Sequence, residues 1–467
     1  MDFKKIYIGG EWIYPNSREY LEVENPADKT IVARVPRSDE VDVERAIESA
    51  RGAFEAWSTT SLEERIRIME NFIVELEKRI DIMAETVVKE LGAPYDFARD
   101  THIKSYIEDG KNFIKIARDY EFEKSYSGYT VVREPYGVVG AITPWNYPFG
   151  QITKKIFPAL LAGNTLVLKP SQNTPLVAYY LTEALDEAGL PKGVFNLVTG
   201  RGSEVGNVIA SHKDIDLVSF TGSTVGGIEV AKLGLDSVKA MALELGGKSP
   251  AIILEGADLD VAFKVLFGSI FRNTGQSCSA LSRLLVPSSM KSLIEEKLLE
   301  KVKDLSYGDP TTDVFLGPLA SLKQWIKVNN YLKLANDQGA RLLYGEIPKD
   351  HKKGYYMGPI IFTDVENSMK IAQEEIFGPV LSIISYDSID QAIEIANDTR
   401  YGLSGAVFGP EDQARKLARR MKTGTVIVNN QKRTLGAPFG GYKESGIGRE
   451  GGIYGFDEYL EIKTIFE

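Results

Sequence analysis

Between Val138 and Leu245 the chain alternates short apolar runs with helical stretches, and this alternation restricts the fold more than any other feature. Val138–Thr143, Thr165–Lys169, Val194–Val198, Asp216–Phe220 and Lys239–Leu245 read as buried strands. Strands that alternate with helices form a parallel sheet with helices on both faces. The pattern restarts after Gly247, with strands expected at Ala251–Leu254, Arg283–Val286, Val380–Tyr386, Ser404–Phe408 and Gly424–Asn429. Thr174 is expected to cap a helix that has Pro175 at its first position and ends near Gly189. Ser388 and Gln391 have the spacing of a capping box. Two α/β units with a boundary near Gly246-Gly247 follow, and 467 residues are enough to build them.

Ahead of the first sheet lie two amphipathic stretches. One runs from Val43 to Trp57. The other runs from a capping box at Ser61 and Glu64 to a stop near Gly92. Residues 117–135 are polar and rich in tyrosine, which suits an extended excursion at an oligomer contact.

Net charge narrows the partners. At −10 the chain lacks the basic footprint of a nucleic-acid binder. No apolar run is long enough to span a bilayer, and the first residues lack the long apolar stretch of a signal peptide. A single cysteine excludes an internal disulfide framework and fits a reducing cytoplasm. His102, His212 and His351 are far apart in sequence, and no metal-ligand spacing occurs.

The lone cysteine, Cys278, follows Asn273-Thr274-Gly275-Gln276-Ser277. It reads either as an inert buried residue or, since its small polar neighbours suit an accessible turn, as a thiolate that would be a strong nucleophile. Glu244 lies between Leu243 and Leu245, ahead of Gly246-Gly247-Lys248. It reads either as a solvent-facing strand residue or as a desolvated carboxylate able to act as a general base. Asn146, between Pro144 and Pro148, reads as a turn residue or as a fixed amide donor to an oxyanion. Gly200-Arg201-Gly202 through Gly206 and Phe220-Thr221-Gly222-Ser223 are two strand-to-helix turns, each of which could present backbone N–H groups to a phosphate.

Taken in order, several segments resemble the aldehyde dehydrogenase superfamily: Pro144-Trp145-Asn146, Lys169-Pro170-Ser171, Phe220-Thr221-Gly222-Ser223 and Glu244-Leu245-Gly246-Gly247-Lys248. Gly275-Gln276-Ser277-Cys278, Glu374 to Pro379, Pro438 to Lys443 and Ser445 to Glu450 complete the series, and the resemblance covers nearly the whole chain. It implies a Rossmann-like cofactor domain (1–116 and 136–246), an α/β catalytic domain (247–444) and a small β oligomerisation element (117–135 and 445–467). It implies a homodimer or homotetramer, and NAD or NADP as cofactor.

The same resemblance assigns roles. Cys278 is the nucleophile towards a small-molecule aldehyde, Asn146 and the Cys278 backbone N–H hold the oxyanion, and Glu244 activates water to hydrolyse the thioester. A carboxylate at 244 implies hydrolysis rather than transfer to coenzyme A. Lys169, Ser171, Gln172, Gly202, Gly206, Phe220, Gly222, Ser223 and Leu245 fall to the cofactor, with Lys169 at the adenosine ribose and Ser223 at the pyrophosphate. Thr143 and Trp145 line the cofactor path, Glu375 holds the nicotinamide ribose beside Phe377, and Gln324 and Lys327 contact the cofactor. Tyr147 and Phe439 face the aldehyde tunnel.

Two positions depart from the family pattern. Gln172 stands where relatives that prefer NAD often carry Glu, which implies tolerance of the 2′-phosphate of NADP. Val225 stands where Glu is frequent. Loops at 277–282 and 433–437 are expected to set specificity, with Lys432 and Arg433 as cationic candidates. The alternatives are a thiol esterase without a redox cofactor, or a non-catalytic relative that kept the fold.

Overall fold

The computed structural model describes residues 3–432 and 434–467. Five parallel strands form the heart of the first sheet: Val138–Ile142, Thr165–Lys169, Phe195–Leu197, Leu217–Thr221 and Ala240–Glu244. Numbered along the chain they are ordered 3-2-1-4-5 across the sheet. The order reverses between Val138–Ile142 and Leu217–Thr221, so a crevice opens beyond the carboxyl ends of those two strands. The antiparallel strands Ile6–Ile8 and Glu11–Ile13 extend one edge, and Gly446–Ile447 pairs with Leu243 and Glu244 on the other.

Only four residues separate Glu244 from the next strand, Ser249–Ile253, which lies inside the second sheet. That sheet is parallel from Ile360–Thr363 through Val380–Tyr386, Leu281–Pro287, Ser249–Ile253 and Ser404–Phe408 to Thr425–Val428. Arg341–Tyr344 runs antiparallel on its edge. The carboxyl edge of the first sheet therefore faces the amino edge of the second. Val138–Ile142, Thr165–Lys169 and Ser404–Phe408 are buried along their whole length, as strands covered by helices on both faces must be.

A third, small sheet joins Glu123–Tyr126, Tyr129–Pro135 and Leu460–Phe466. Leu460–Phe466 forms an edge that exposes Ile462 and Phe466. Not all of 445–467 belongs to this sheet, because Gly446–Ile447 is part of the first one. The excursion is also shorter than the sequence suggests, since a helix over Ser105–Asp119 occupies its start. No helix among the described residues is long and apolar enough to cross a membrane.

Two helix expectations need correction. The second amphipathic stretch is two helices, Leu62–Glu77 and Ile80–Leu91, broken at Lys78-Arg79. Arg79 holds the break through Glu75 at 3.0 Å and Glu187 at 2.6 Å. Only half of its capping box forms: Ser61 accepts from the Glu64 N–H, while the Glu64 carboxylate turns to Arg67.

Thr174 does not cap the helix Leu176–Glu187. Its hydroxyl donates to the Trp145 carbonyl. The buried Glu90 carboxyl accepts instead from the N–H groups of Leu176 (2.7 Å) and Val177 (3.3 Å). Burial pushes the Glu90 carboxyl up to about 8, against the pull of those two bonds. Glu90→Ala leaves both buried N–H groups unpaired and should cost about 2 kcal/mol or more. A fall of several degrees in melting temperature is expected, with a smaller fall for Glu90→Gln, which keeps one acceptor.

Candidate active site

Cys278 lies just before the strand Leu281–Pro287, on the amino edge of the second sheet. A tight turn presents it. Asn273, Thr274 and Gly275 all adopt left-handed backbone, with φ of 51°, 54° and 72°. Left-handed conformations at two non-glycine residues store strain that only a rigid surround maintains. The surround is visible. Thr274 Oγ1 donates to the Gly317 carbonyl at 2.9 Å, and Gln276 Oε1 accepts from the Ala320 N–H at 2.8 Å. A Cβ on Gly275 would stand 2.1 Å from the Gly378 carbonyl oxygen, so only glycine permits this approach. The turn leaves Cys278 half-buried.

Asn146 is tied to the same turn. Its Nδ2 donates to the Gln276 carbonyl at 3.0 Å, and its own carbonyl accepts from Asn273 Nδ2 at 2.8 Å. Asn146 follows Val138–Ile142 of the first sheet, so these bonds lock the two sheets' edges together. Tyr147 begins the next helix, Pro148–Ala162, and its ring stacks on His102 with centroids 4.5 Å apart. His102 is fully buried on a wide π-helical turn, Ala98–Lys104, and burial pushes its imidazole down to about 3. It is therefore a neutral support for Tyr147, not a base.

Glu244 ends the strand Ala240–Glu244. It is buried, and neither carboxylate oxygen finds a hydrogen-bond partner. Burial drives its carboxyl well above the usual range. Nearby Glu450 adds to the shift, while Lys154, Lys155 and Arg449 oppose it. Of the two readings of Glu244, the desolvated carboxylate is the one found. The Gly247 backbone brings this segment to Cys278, since a Cβ there would stand 2.5 Å from the Cys278 carbonyl oxygen. Ser445 clamps the same corner, with its Oγ donating to the Gly246 carbonyl at 2.7 Å and its carbonyl accepting from the Leu245 N–H at 2.9 Å.

Sequence reasoning missed the pair behind Glu244. Lys155 is wholly buried, and its Nζ donates to Glu450 Oε1 (2.7 Å), Thr221 Oγ1 (2.9 Å) and Ser219 Oγ (3.0 Å). Burial alone would raise the Glu450 carboxyl, but Lys155 and Lys154 hold it below the ordinary range. The available signal was a pair of lysines inside an otherwise apolar helix.

The cofactor candidates gather around the crevice at the strand reversal. Ser223 caps the helix Thr224–Gly234 by accepting from the Gly226 N–H at 3.2 Å. Gly222 leaves room for the Phe220 ring, which a Cβ would meet at 2.6 Å. Leu245 packs against Gly227 of the same helix. Val225, on its first turn, is exposed. Gly202 and Gly206 bound a single wide turn that opens only the short helix Asn207–Ser211, so Ser223 begins the stronger of the two N-termini. A Cβ on Gly206 would lie 3.9 Å from the Lys169 side chain.

Lys169 is buried, and its Nζ makes one hydrogen bond, to the Pro170 carbonyl at 3.1 Å. Burial pushes it down to about 8. Ser171 Oγ accepts from the Asn173 N–H, closing a turn that leaves Gln172 exposed. The Thr143 N–H donates to the Lys169 carbonyl, and its hydroxyl is buried without a partner.

On the other wall, Glu375 Oε1 accepts from the Gly247 N–H at 3.0 Å. Burial raises its carboxyl, against that bond and the nearby Lys327 and Lys248. Phe377 has a left-handed backbone, φ 63°, and meets Trp145 edge-to-face with centroids 5.3 Å apart. Gln324 also supports this wall. Its Nε2 is spent on the carbonyls of Phe377 (2.6 Å) and Ile376 (3.2 Å), so it fixes the Glu375–Phe377 loop. Phe439 pairs with Glu450 through backbone bonds at 2.6 and 2.7 Å, which puts it beside Glu244. Lys432 is exposed, and Arg433 lies outside the described residues.

Residues 12–465 match the family model described as aldehyde dehydrogenase family. Aldehyde dehydrogenase C of Pseudomonas syringae, solved as a cysteine-to-alanine mutant with NAD+ and octanal, is 42% identical; its structure superposes with a TM-score of 0.96 over 100% of this chain and 97% of that one. An aldehyde dehydrogenase of Bartonella henselae gives 38% identity and 0.97 over 99% of both chains. Betaine aldehyde dehydrogenase of Staphylococcus aureus, in complex with NAD+, gives 36% and 0.94 over 99% of this chain and 94% of that one.

Proposed function

Because the chain belongs to the aldehyde dehydrogenase family, we propose that it oxidises an aldehyde to a carboxylic acid with NAD, through a thioester on Cys278. One observation carries the assignment of residues. The Asn146 amide is bonded to the Cys278 turn, while Glu244, reaching the same corner through Gly247, is a buried carboxylate with no partner.

The steps follow from these groups. The Cys278 sulfur adds to the aldehyde carbon. One N–H of the Asn146 amide is held by Gln276, and the other, with the Cys278 backbone N–H, stabilises the developing oxyanion. A bound nicotinamide supplies the acceptor for the hydride that leaves that carbon. Glu244 then takes a proton from water as the water attacks the thioester, which releases the acid and restores the thiolate. The charges of the nearby Lys155–Glu450 pair act on Glu244, Glu450 raising its carboxyl and Lys155 opposing that.

The residues fit such a cofactor. Lys169 is a buried ammonium with donors to spare for the adenosine ribose, Ser223 begins a helix suited to the pyrophosphate, and Glu375 has an oxygen left for the nicotinamide ribose. Reduction of NAD by the purified protein, across short, aromatic and charged aldehydes, tests the reading. Folded protein that binds neither NAD nor NADP would return it to the thiol esterase alternative.

NADP is accepted as well in this reading, because Gln172 offers an amide where a carboxylate would repel a 2′-phosphate. Gln172→Glu should lower kcat/KM for NADP by about tenfold relative to NAD, one like-charge contact being worth about that much in discrimination. Equal NAD constants in both proteins, with no NADP activity in either, would sink the idea. A division into cofactor and catalytic units at 247, with the small sheet confined to Glu123–Tyr126, Tyr129–Pro135 and Leu460–Phe466, belongs to the same reading. So do a cytoplasmic location and a homodimer or homotetramer built through the small sheet and its exposed Leu460–Phe466 edge.

A further inference from the structure

The helix Pro148–Ala162 starts beside the oxyanion amide and is buried at every position except Lys154. Tyr147, Gln151 and Lys154 are spaced four and then three residues apart, so they share one face of it. That face looks along the wall lined by Phe439. Lys154 Nζ lies 4.9 Å from the centroid of the Phe439 ring and 5.8 Å from that of Tyr106. Phe439 is paired through its backbone with Glu450, and a Cβ on the adjoining Gly440 would touch Glu244 Oε1 at 2.7 Å. The ammonium therefore stands inside the site, and its side chain is only 15% exposed.

Its charge is not consumed there. Lys155 has taken Glu450 Oε1 at 2.7 Å, and Lys154 stays 4.0 Å from Oε2, which accepts no hydrogen bond. Two ammonium groups thus share one carboxylate. The other acids nearby, Glu244 and Asp109, are both displaced towards their neutral forms by burial. Gln151 supplies an independent sign. It is 6% exposed, and its Oε1 is buried with no partner, although buried amides in proteins are almost always satisfied. Turned about its last bond, the same amide offers two N–H donors. One cation and one amide on a common wall match a singly charged planar anion.

We propose that Lys154 and Gln151 receive a carboxylate, so that the aldehyde this chain takes is an ω-oxo acid with its carboxylate remote from the carbonyl. The proposal rests on the reading of Cys278 as the nucleophile in aldehyde oxidation. Lys154 is a specificity-determining residue in it: it touches the tail of the substrate and not the reacting carbon.

The test compares ω-oxo acids of increasing chain length with their methyl esters, following reduction of NAD. At least one acid should be preferred over its ester by about tenfold or more in kcat/KM, the scale of one charge-assisted hydrogen bond. Lys154→Met should erase that preference, mainly through KM for the acid, and Lys154→Arg should keep it. Esters oxidised as well as acids throughout the series would overturn the proposal while leaving aldehyde oxidation standing. So would a preference that survives Lys154→Met. Failure of every acid and ester to reduce NAD would overturn both.

Discussion

Replacing Cys278 by alanine should abolish aldehyde-dependent reduction of NAD, by a factor on the order of 10⁴ or more, the scale set by removing the nucleophile of a covalent mechanism. No other residue can substitute, because the chain has no second cysteine. The turn that presents the sulfur is held by the groups around it. Its bonds run from Thr274 to Gly317, from Gln276 to Ala320 and between Asn146, Asn273 and Gln276, and its close approach to Gly378 depends on Gly275. The variant should therefore fold and bind NAD normally, which quenching of tryptophan fluorescence would report, Trp145 standing at the mouth of the proposed nicotinamide site. Ester hydrolysis should disappear together with oxidation. Residual hydride transfer above that of free solution would remove Cys278 from the mechanism.

The parallel strands were legible because burial on both faces imposes continuous apolar runs, and Val380–Tyr386 and Ser404–Phe408 agree to the residue. Without the resemblance, Cys278, Asn146 and Glu244 were legible only as residue types in suggestive places. What brings them together is a set of contacts between residues far apart in sequence, such as the Asn146–Gln276 bond across 130 positions. The Lys155–Glu450 pair spans 295 positions, and its one local trace is the two lysines in an otherwise apolar helix. Local rules failed where a distant group competed. Thr174 has the position of a cap, but the buried Glu90 carboxyl is within reach of the same N–H groups and has no other use for its lone pairs. The bond from Gln324 to the Phe377 carbonyl, across 53 positions, likewise has no trace in the local sequence.

Glu244→Gln separates the two halves of the reaction. Acylation needs the nucleophile, the oxyanion donors and the hydride acceptor, none of which this change removes. Hydrolysis needs a base, and glutamine is none. The variant should release a burst of reduced NAD close to one equivalent per site and then slow, with a steady rate about 10²–10⁴ below that of the native protein. Because burial and Glu450 raise the Glu244 carboxyl, its basic form grows only as pH rises through that elevated pKa. Wherever hydrolysis limits turnover, kcat should climb as pH rises through that elevated pKa, and the climb should vanish in Glu244→Gln. Lys155→Met sharpens the interpretation. Without Lys155, the buried Glu450 loses the cation that holds its charge, so its carboxyl should rise and its repulsion of the Glu244 anion should weaken. Lys155 also lowers the Glu244 carboxyl directly, but Glu450 acts on it more strongly than Lys155 does, so the Glu244 limb should then move to lower pH. A stopped-flow record with no burst in Glu244→Gln would reassign this carboxylate to deprotonation of Cys278, because loss of that step suppresses acylation itself.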